Sequence, residues 1–144
     1  MTFMKKIILL ALILAGLFYS PVLSAQAKDK EKEAITSTLM HYIEGTSDGF
    51  PDRIKKAFHP DLNLYSVNAD GTLKTWNGKD YISRFKPGVK NNRVGKILMI
   101  DRENDAATAK VEIKMGERLY IDYFLLLKLE GTWTIIHKSY TRKN

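Results

Sequence analysis

Asp122, His137 and Ser139 are the residues whose types and spacing can do chemistry, because two tight turns bring them onto one face of a sheet. Gly116-Glu117 carries the Gly-first signature of a type II′ hairpin turn, and Glu130-Gly131 turns the chain again. As two-residue loops they pair Met115 with Arg118 and Leu129 with Thr132, and therefore Val111 with Asp122 and Asp122 with Ser139. Alternation along each strand then gathers Ala109, Val111 and Ile113, then Tyr120, Asp122, Phe124 and Leu126, then Trp133, Ile135, His137 and Ser139 on one face. That face is apolar except for Asp122, Ser139 and His137, the last diagonal to Asp122 at a Cα separation of roughly 7–8 Å. Desolvated carboxyls are general acids and bases, so Asp122 can move a proton while His137 or a tyrosine polarises a carbonyl. The same groups can also satisfy one another's hydrogen bonds. Asp122 therefore has three open roles: structural carboxylate, ligand contact and catalyst. The structural role is preferred, because buried polar groups are ordinarily paired.

Other chemistry is thinner. His59, between Phe58 and Pro60, either bonds across a helix end as a joint residue, which is preferred, or points into a pocket. His41 falls off the apolar stripe beside it. The histidines have no H-x-x-x-H spacing and no carboxylate placed as a third ligand, so no metal is expected. No cysteine occurs, which rules out thiolate catalysis and disulfide staples. Gly78-Lys79-Asp80 lacks the glycine spacing of a phosphate loop, and no cofactor is expected.

The elements that must position these groups follow from periodicity. Ile35, Leu39, Tyr42 and Ile43 share one helical face after the charged lead-in 28–34, and Gly45 and Ser47-Asp48-Gly49 stop that helix. Pro51 opens a short helix over 52–58, and Pro60 ends it. Period-two stretches over 62–67 and 72–76 flank the turn-rich 68–71. A third short helix is predicted over 79–85. Strands at 94–101, 106–115, 119–129 and 132–140 then form an antiparallel meander, giving an α+β order with helices segregated to one side. The opposite sheet face carries Ile121, Tyr123, Leu125 and Leu127 among charged side chains, which suits a second copy of the chain.

The chain's first segment speaks to location. Lys5 and Lys6 precede Ile7 to Tyr19, thirteen residues without a charge; Ser20-Pro21 is expected to break any helix, and Ala25-Gln26-Ala27 has the small-x-small pattern of a cleavage site. Thirteen residues at about 1.5 Å each do not cross a hydrocarbon core of about 30 Å, so a stable membrane anchor is not expected after cleavage. Residues 1–27 are read as a signal peptide and 28–144 as one domain, periplasmic or secreted. The segment holds two basic and no acidic residues, leaving a net charge of +5 from the chain's +7. Those charges are scattered, and the best cluster, Lys86 to Lys96, is a Pro/Gly/Asn-containing loop without the basic–aromatic stripe of a nucleic-acid binder.

The element order resembles the nuclear-transport-factor-2-like (NTF2-like, cystatin-like) α+β cone, with three N-terminal helices packed on a curved antiparallel sheet. Within that superfamily the chain is similar to the small bacterial group named Putative lumazine-binding. The residues carrying the likeness are Tyr42-Ile43-Glu44-Gly45 with Asp48-Gly49, Phe58-His59-Pro60-Asp61 with Asp70-Gly71, Ala107-Thr108-Ala109-Lys110-Val111, Asp122-Tyr123-Phe124-Leu125-Leu126-Leu127-Lys128, and Gly131-Thr132-Trp133-Thr134-Ile135-Ile136-His137-Lys138. The resemblance implies a mostly apolar pocket between sheet and first helix. Tyr42 and Trp76 would complete a lining of Tyr120, Asp122, Phe124, His137 and Ser139, with His59 beside it. The expected function is noncatalytic binding of a small apolar or aromatic molecule by a homodimer. The alternatives are an isomerase- or dehydratase-like enzyme using Asp122 and His137, and a dimeric interaction module without a working pocket.

Overall fold

Pro21 sits in the first turn of the helix Ser20–Asp48 (α1), where the N–H it lacks has no intrahelical partner to lose. The expected break at Ser20-Pro21 concerns the chain before Ser20, which lies outside the described residues. The computed structural model describes residues 20–143, so most of the proposed signal peptide lies outside the described residues. The chain divides into two units, Met1–Glu33 and Ala34–Asn144, and the second holds the site.

Within the second unit, α1 runs through Gly45 rather than stopping there. The reason is packing. A Cβ at Gly45 would lie 2.8 Å from Ile54 Cγ1, so the missing side chain lets the next helix, Pro51–Ala57 (α2), approach closely. The stop is Gly49, in the left-handed region at φ 69°. The last carbonyls of α1 are capped by the loop that follows the third helix: Asn91 N–H donates to Ser47 O at 2.6 Å, and Asn91 Nδ2 to Thr46 O at 3.0 Å. Ser47 Oγ in turn donates to Arg93 O at 2.9 Å. The basic loop is thus tied to the helix end, and it delivers Arg93 to the sheet at a fixed place.

Strands Asn63–Val67 (β1) and Leu73–Asn77 (β2) form a hairpin. The helix Gly78–Ser83 (α3) starts at once, with Asn77 Oδ1 accepting from the N–H groups of Lys79 and Asp80. Arg93–Glu103 (β3), Ala106–Met115 (β4), Arg118–Leu129 (β5) and Thr132–Lys143 (β6) complete a six-stranded sheet of order β2-β1-β6-β5-β4-β3. All neighbours are antiparallel except β1 and β6, which are parallel. Among the described residues there are three helices, and the α+β, antiparallel-rich architecture is the expected one.

The first hairpin has the expected register: Gly116 takes φ 59° and Val111 pairs with Asp122. The second hairpin does not. Glu130 and Gly131 both have positive φ, as in a type I′ turn, and pairing begins as expected at Leu129–Thr132 and continues to Leu126–Ile135. Then Leu125 pairs with His137, leaving Ile136 as the extra residue of a bulge. Every later residue of β6 changes face. Asp122 is opposite Tyr140, Tyr123 opposite Ser139 and Phe124 opposite Lys138. The bulge lies where β6 changes its neighbour. Ile135 O accepts from His59 N–H at 2.9 Å at the joint after α2, whereas Lys138 and Ser139 pair with Leu64 and Tyr65 of β1. The switch requires a local twist, and an inserted residue supplies it.

The core joins Ile35, Leu39, Tyr42 and Ile43 of α1 to Val111, Ile113, Phe124, Leu126 and Ile135 of the sheet. Trp133 is buried, and its carbonyl accepts from Thr38 Oγ1 at 2.9 Å, fastening the sheet end to α1. On the opposite face Tyr123 and Leu125 are exposed, Leu127 is half-buried and Ile121 is buried, so the expected apolar stripe is shorter than its four residues.

Candidate functional site

At the centre of the inner face, four polar side chains from four elements meet around one phenol. Tyr42 Oη on α1 donates to Asp122 Oδ2 on β5 at 2.7 Å. It accepts from Lys138 Nζ on β6 at 2.7 Å and from Arg93 Nη2 on β3 at 3.1 Å. Lys138 Nζ also lies 2.9 Å from Asp122 Oδ2, a salt bridge whose two residues are 3% and 2% exposed. Taking two charges out of water is costly, and such a pair persists only with good geometry and extra hydrogen bonds. Here Tyr42 supplies one to each partner. Rings complete the cage, with Nζ 4.8 Å from the centroid of Tyr42, 5.0 Å from Tyr140 and 5.3 Å from Tyr81. A cation facing ring quadrupoles is attracted to them, so the rings add to the hold that Asp122 and Tyr42 have on Nζ.

The Tyr42 phenol is pushed well above the ordinary tyrosine value, first by burial and then by the negative charge of Asp122 and by Tyr81. It therefore remains a donor to Asp122. The Arg93 guanidinium is opposed by its own burial, but Tyr42, Tyr81 and Asp122 together outweigh that and raise it above its ordinary value. Because Tyr42 is raised in the folded state, its stabilising effect is complete below the unfolded tyrosine value near 10 and is lost as pH rises past it toward the folded value. Wild-type stability in urea is expected to fall above about pH 10 more steeply than that of Tyr42→Phe. Equal slopes would show that the phenol titrates normally.

Asp122 and Lys138 form part of the wall of a cavity of about 610 Å³, within the roughly 300–1,000 Å³ of ordinary ligand sites. Trp76, Tyr81 and Phe85 line it from the β2–α3 side, Tyr120, Ile113 and Tyr140 from the sheet, and Arg84, Asn91, Asn92 and Arg93 from the end of α3 through the loop to the start of β3. The lining is more apolar than polar, as expected, with its apolar part largely aromatic and two arginines and Lys138 set into it.

Of the sequence-predicted residues, Trp76, Tyr120 and Asp122 line this cavity together. Tyr42 is fully buried behind Asp122, and Phe124 lies edge-on to Tyr42 at 5.2 Å as part of the core. His137 and Ser139 do not join them. The bulge at Ile136 turns both to the opposite face, where His137 stacks on Tyr65 at 5.0 Å. The Asp122–His137–Ser139 island is therefore corrected to Asp122–Lys138–Tyr42, with Arg93 beside it. His59 is at the joint, its Nδ1 accepting from Asp61 N–H at 3.2 Å, and it faces a separate cavity of about 520 Å³ between α2 and α3. His41 is half-buried and accepts from Arg53 Nε at 3.3 Å. No cluster of three metal-ligating side chains occurs among the described residues.

Sequence reasoning missed Lys138, Tyr140 and Arg93. Nothing in the hairpin turns signals a bulge five residues further on, although the alternation of Lys138 and Tyr140 with His137 and Ser139 shows that either stripe of β6 carries polar groups. Arg93 was hidden in a loop that reads as solvated.

A family model described as Putative lumazine-binding matches residues 30–141. The chain is 26% identical over 113 residues to the aldolase FrzH of Cladobotryum sp, covering 76% of this chain and 90% of that one. Among solved structures it is similar to NTF2-like proteins of unknown function from Shewanella baltica OS155 and Methylobacillus flagellatus KT. The first has a TM-score of 0.72 and 24% identity, covering 80% of this chain and 95% of that one. The second has a TM-score of 0.69 and 28% identity, covering 80% and 94%. A hexachlorocyclohexane dehydrochlorinase (LinA) type 2 shares the fold at a TM-score of 0.63 and 10% identity, covering 81% and 88%.

Proposed function

Because the chain belongs to the Putative lumazine-binding family of NTF2-like proteins, we propose that it binds a small, partly aromatic molecule in the cavity above Asp122 and Lys138. The observation that carries this reading is the combination of aromatic walls with a closed polar floor. Trp76, Tyr120 and Tyr140 offer flat apolar surface, and the hydrogen bonds among Tyr42, Asp122 and Lys138 fix that floor without a ligand. Such a site pays little reorganisation on binding.

The protein works outside the cytoplasm in this reading, after cleavage behind Ala27, and as a homodimer through the face bearing Tyr123 and Leu125. Light scattering is expected to give twice the mass of residues 28–144; a monomer at tens of micromolar (about 10⁻⁵ M, an ordinary dimer affinity) removes the dimer.

Ligand binding is tested by a thermal-shift screen against lumazine and other pterins, flavins and aromatic acids. A ligand at about a hundred times its Kd adds about 2.7 kcal/mol and raises Tm by several degrees. The emission of Trp76 is expected to change with the same ligand, while Trp133, 2% exposed in the core, stays constant. A shift that survives Trp76→Phe without any emission change places the ligand elsewhere.

An enzymatic reading is favoured by one specific observation. Both contacts to Asp122 use Oδ2, and Oδ1 receives no hydrogen bond among the described residues. A carboxylate with one oxygen free of hydrogen bonds can accept a proton from carbon next to a carbonyl. The aldolase relative belongs to a reaction class with such a step. His137 has no part in it.

A further inference from the structure

We propose, building on the ligand-binding reading above, that the ligand of this cavity is an anion: a planar aromatic molecule whose carboxylate, or an equally acidic oxygen, seats on Arg93. The argument is one of unmatched charge. Arg84, Arg93, Lys138 and Asp122 are the charged residues lining the cavity. Lys138 and Asp122 neutralise each other across 2.9 Å, so Asp122 presents little net repulsion to an incoming anion. Arg93 makes no salt bridge among the described residues, and the carboxylate that favours its charge, Asp122, is already paired with Lys138.

Its hydrogen bonding is also incomplete. Nη2 donates to the neutral phenol of Tyr42, and Nε, sealed from solvent, has no partner among the described residues. Charges withdrawn from water are ordinarily paired, and Arg93 with Lys138 exceeds the single charge of Asp122 by one, so this cavity wall marks the place of a counter-ion. The group is also oriented. It lies 5.7 Å over the Phe85 ring, and its backbone is held by Ser47 at the end of α1. A guanidinium fixed in plane binds a carboxylate through two parallel N–H···O bonds.

Arg84, 4.9 Å over Trp76, adds a second positive charge beside the aromatic wall. A ligand entering there meets a ring on one side and cations ahead. A neutral ligand leaves Arg93 unmatched, and a cationic ligand meets two like charges. An aromatic acid satisfies both features.

The test uses two probes of nearly equal shape, 2-naphthoate and neutral 2-naphthamide, titrated calorimetrically into the purified full chain at pH 7. The acid is expected to bind about tenfold or more tightly than the amide, the advantage of a charge-assisted bidentate contact. Arg93→Gln is expected to bind the two alike, with amide affinity kept. Arg93→Lys, which retains charge without the fork, is expected to restore only part of the preference.

Equal binding of the two probes by the wild type overturns the inference while leaving small-molecule binding intact. So does a preference that survives Arg93→Gln. Binding of neither probe, with Tm unchanged, removes this inference and counts against the ligand-binding reading with it. The wild-type comparison decides the matter even if Arg93→Gln proves unfolded.

Discussion

Replacing Lys138 by Met is expected to destabilise the fold by about 3–5 kcal/mol, the cost of leaving one member of a buried ion pair alone. The geometry explains why the effect is near the top of what single substitutions do. Asp122 is 2% exposed, and without Nζ the hydrogen bond left to it is that of the Tyr42 phenol. Single-domain stabilities are commonly about 5–15 kcal/mol, so the loss should move the urea midpoint far with little change in slope. The companion variant separates charge from packing. Asp122→Val with Lys138→Met removes both charges, and most of the loss is expected to return, because replacing a whole buried pair by apolar groups is often neutral. A single variant as stable as wild type would show that the pair does not carry its charges in the folded protein. A double variant worse than either single one would instead assign the loss to volume.

Phe124→Ala comes next in size, at about 3–5 kcal/mol, the usual cost of deleting a buried phenyl ring. The ring is 1% exposed, stands edge-on to Tyr42 at 5.2 Å, and lies 5.9 Å from Lys138 Nζ. Its removal opens a hole between the core of the helix and the floor of the cavity. Phe124→Leu is expected to cost far less, since it keeps most of the volume. Denaturation by urea gives both numbers. If Phe124→Ala costs under about 1 kcal/mol, the neighbouring side chains have collapsed into the space, and the floor is softer than the contacts imply.

Much of this architecture can be read directly from residue spacing, and the reason lies in turn chemistry. Gly116-Glu117 demanded one register, and that register occurs over all of β4 and β5. The face assignment of Asp122 followed from it. The helical stripe Ile35, Leu39, Tyr42 and Ile43 is buried as its period requires. Boundaries differ by only a few residues where capping decides them, as at Asn77. Two kinds of feature escaped. The bulge at Ile136 is set by the partner strand, since β6 must leave the His59 joint and join β1, and no local pattern in β6 encodes what its neighbour will be. Gly45 looked like a terminator because glycine is a poor helix former, but close contact with Ile54 outweighs propensity there. Arg93 is legible only once Asn91 is seen to cap α1, a contact between residues 45 apart.

The bulge has a consequence for how the chain finds its fold. β6 is written with two interleaved stripes, His137–Ser139 and Lys138–Tyr140, and each would place a plausible polar pair opposite Asp122. A hairpin of β5 and β6 closing from the Glu130-Gly131 turn alone can zip straight on in the unbulged register and put the wrong stripe inward. That competitor buries a histidine and a serine against Tyr42 and leaves Lys138 outside. Only docking of β1 and the His59 joint against β6 favours the inserted residue. The identity of the site's cation is therefore set by a long-range contact, and the hairpin turn by itself does not specify it.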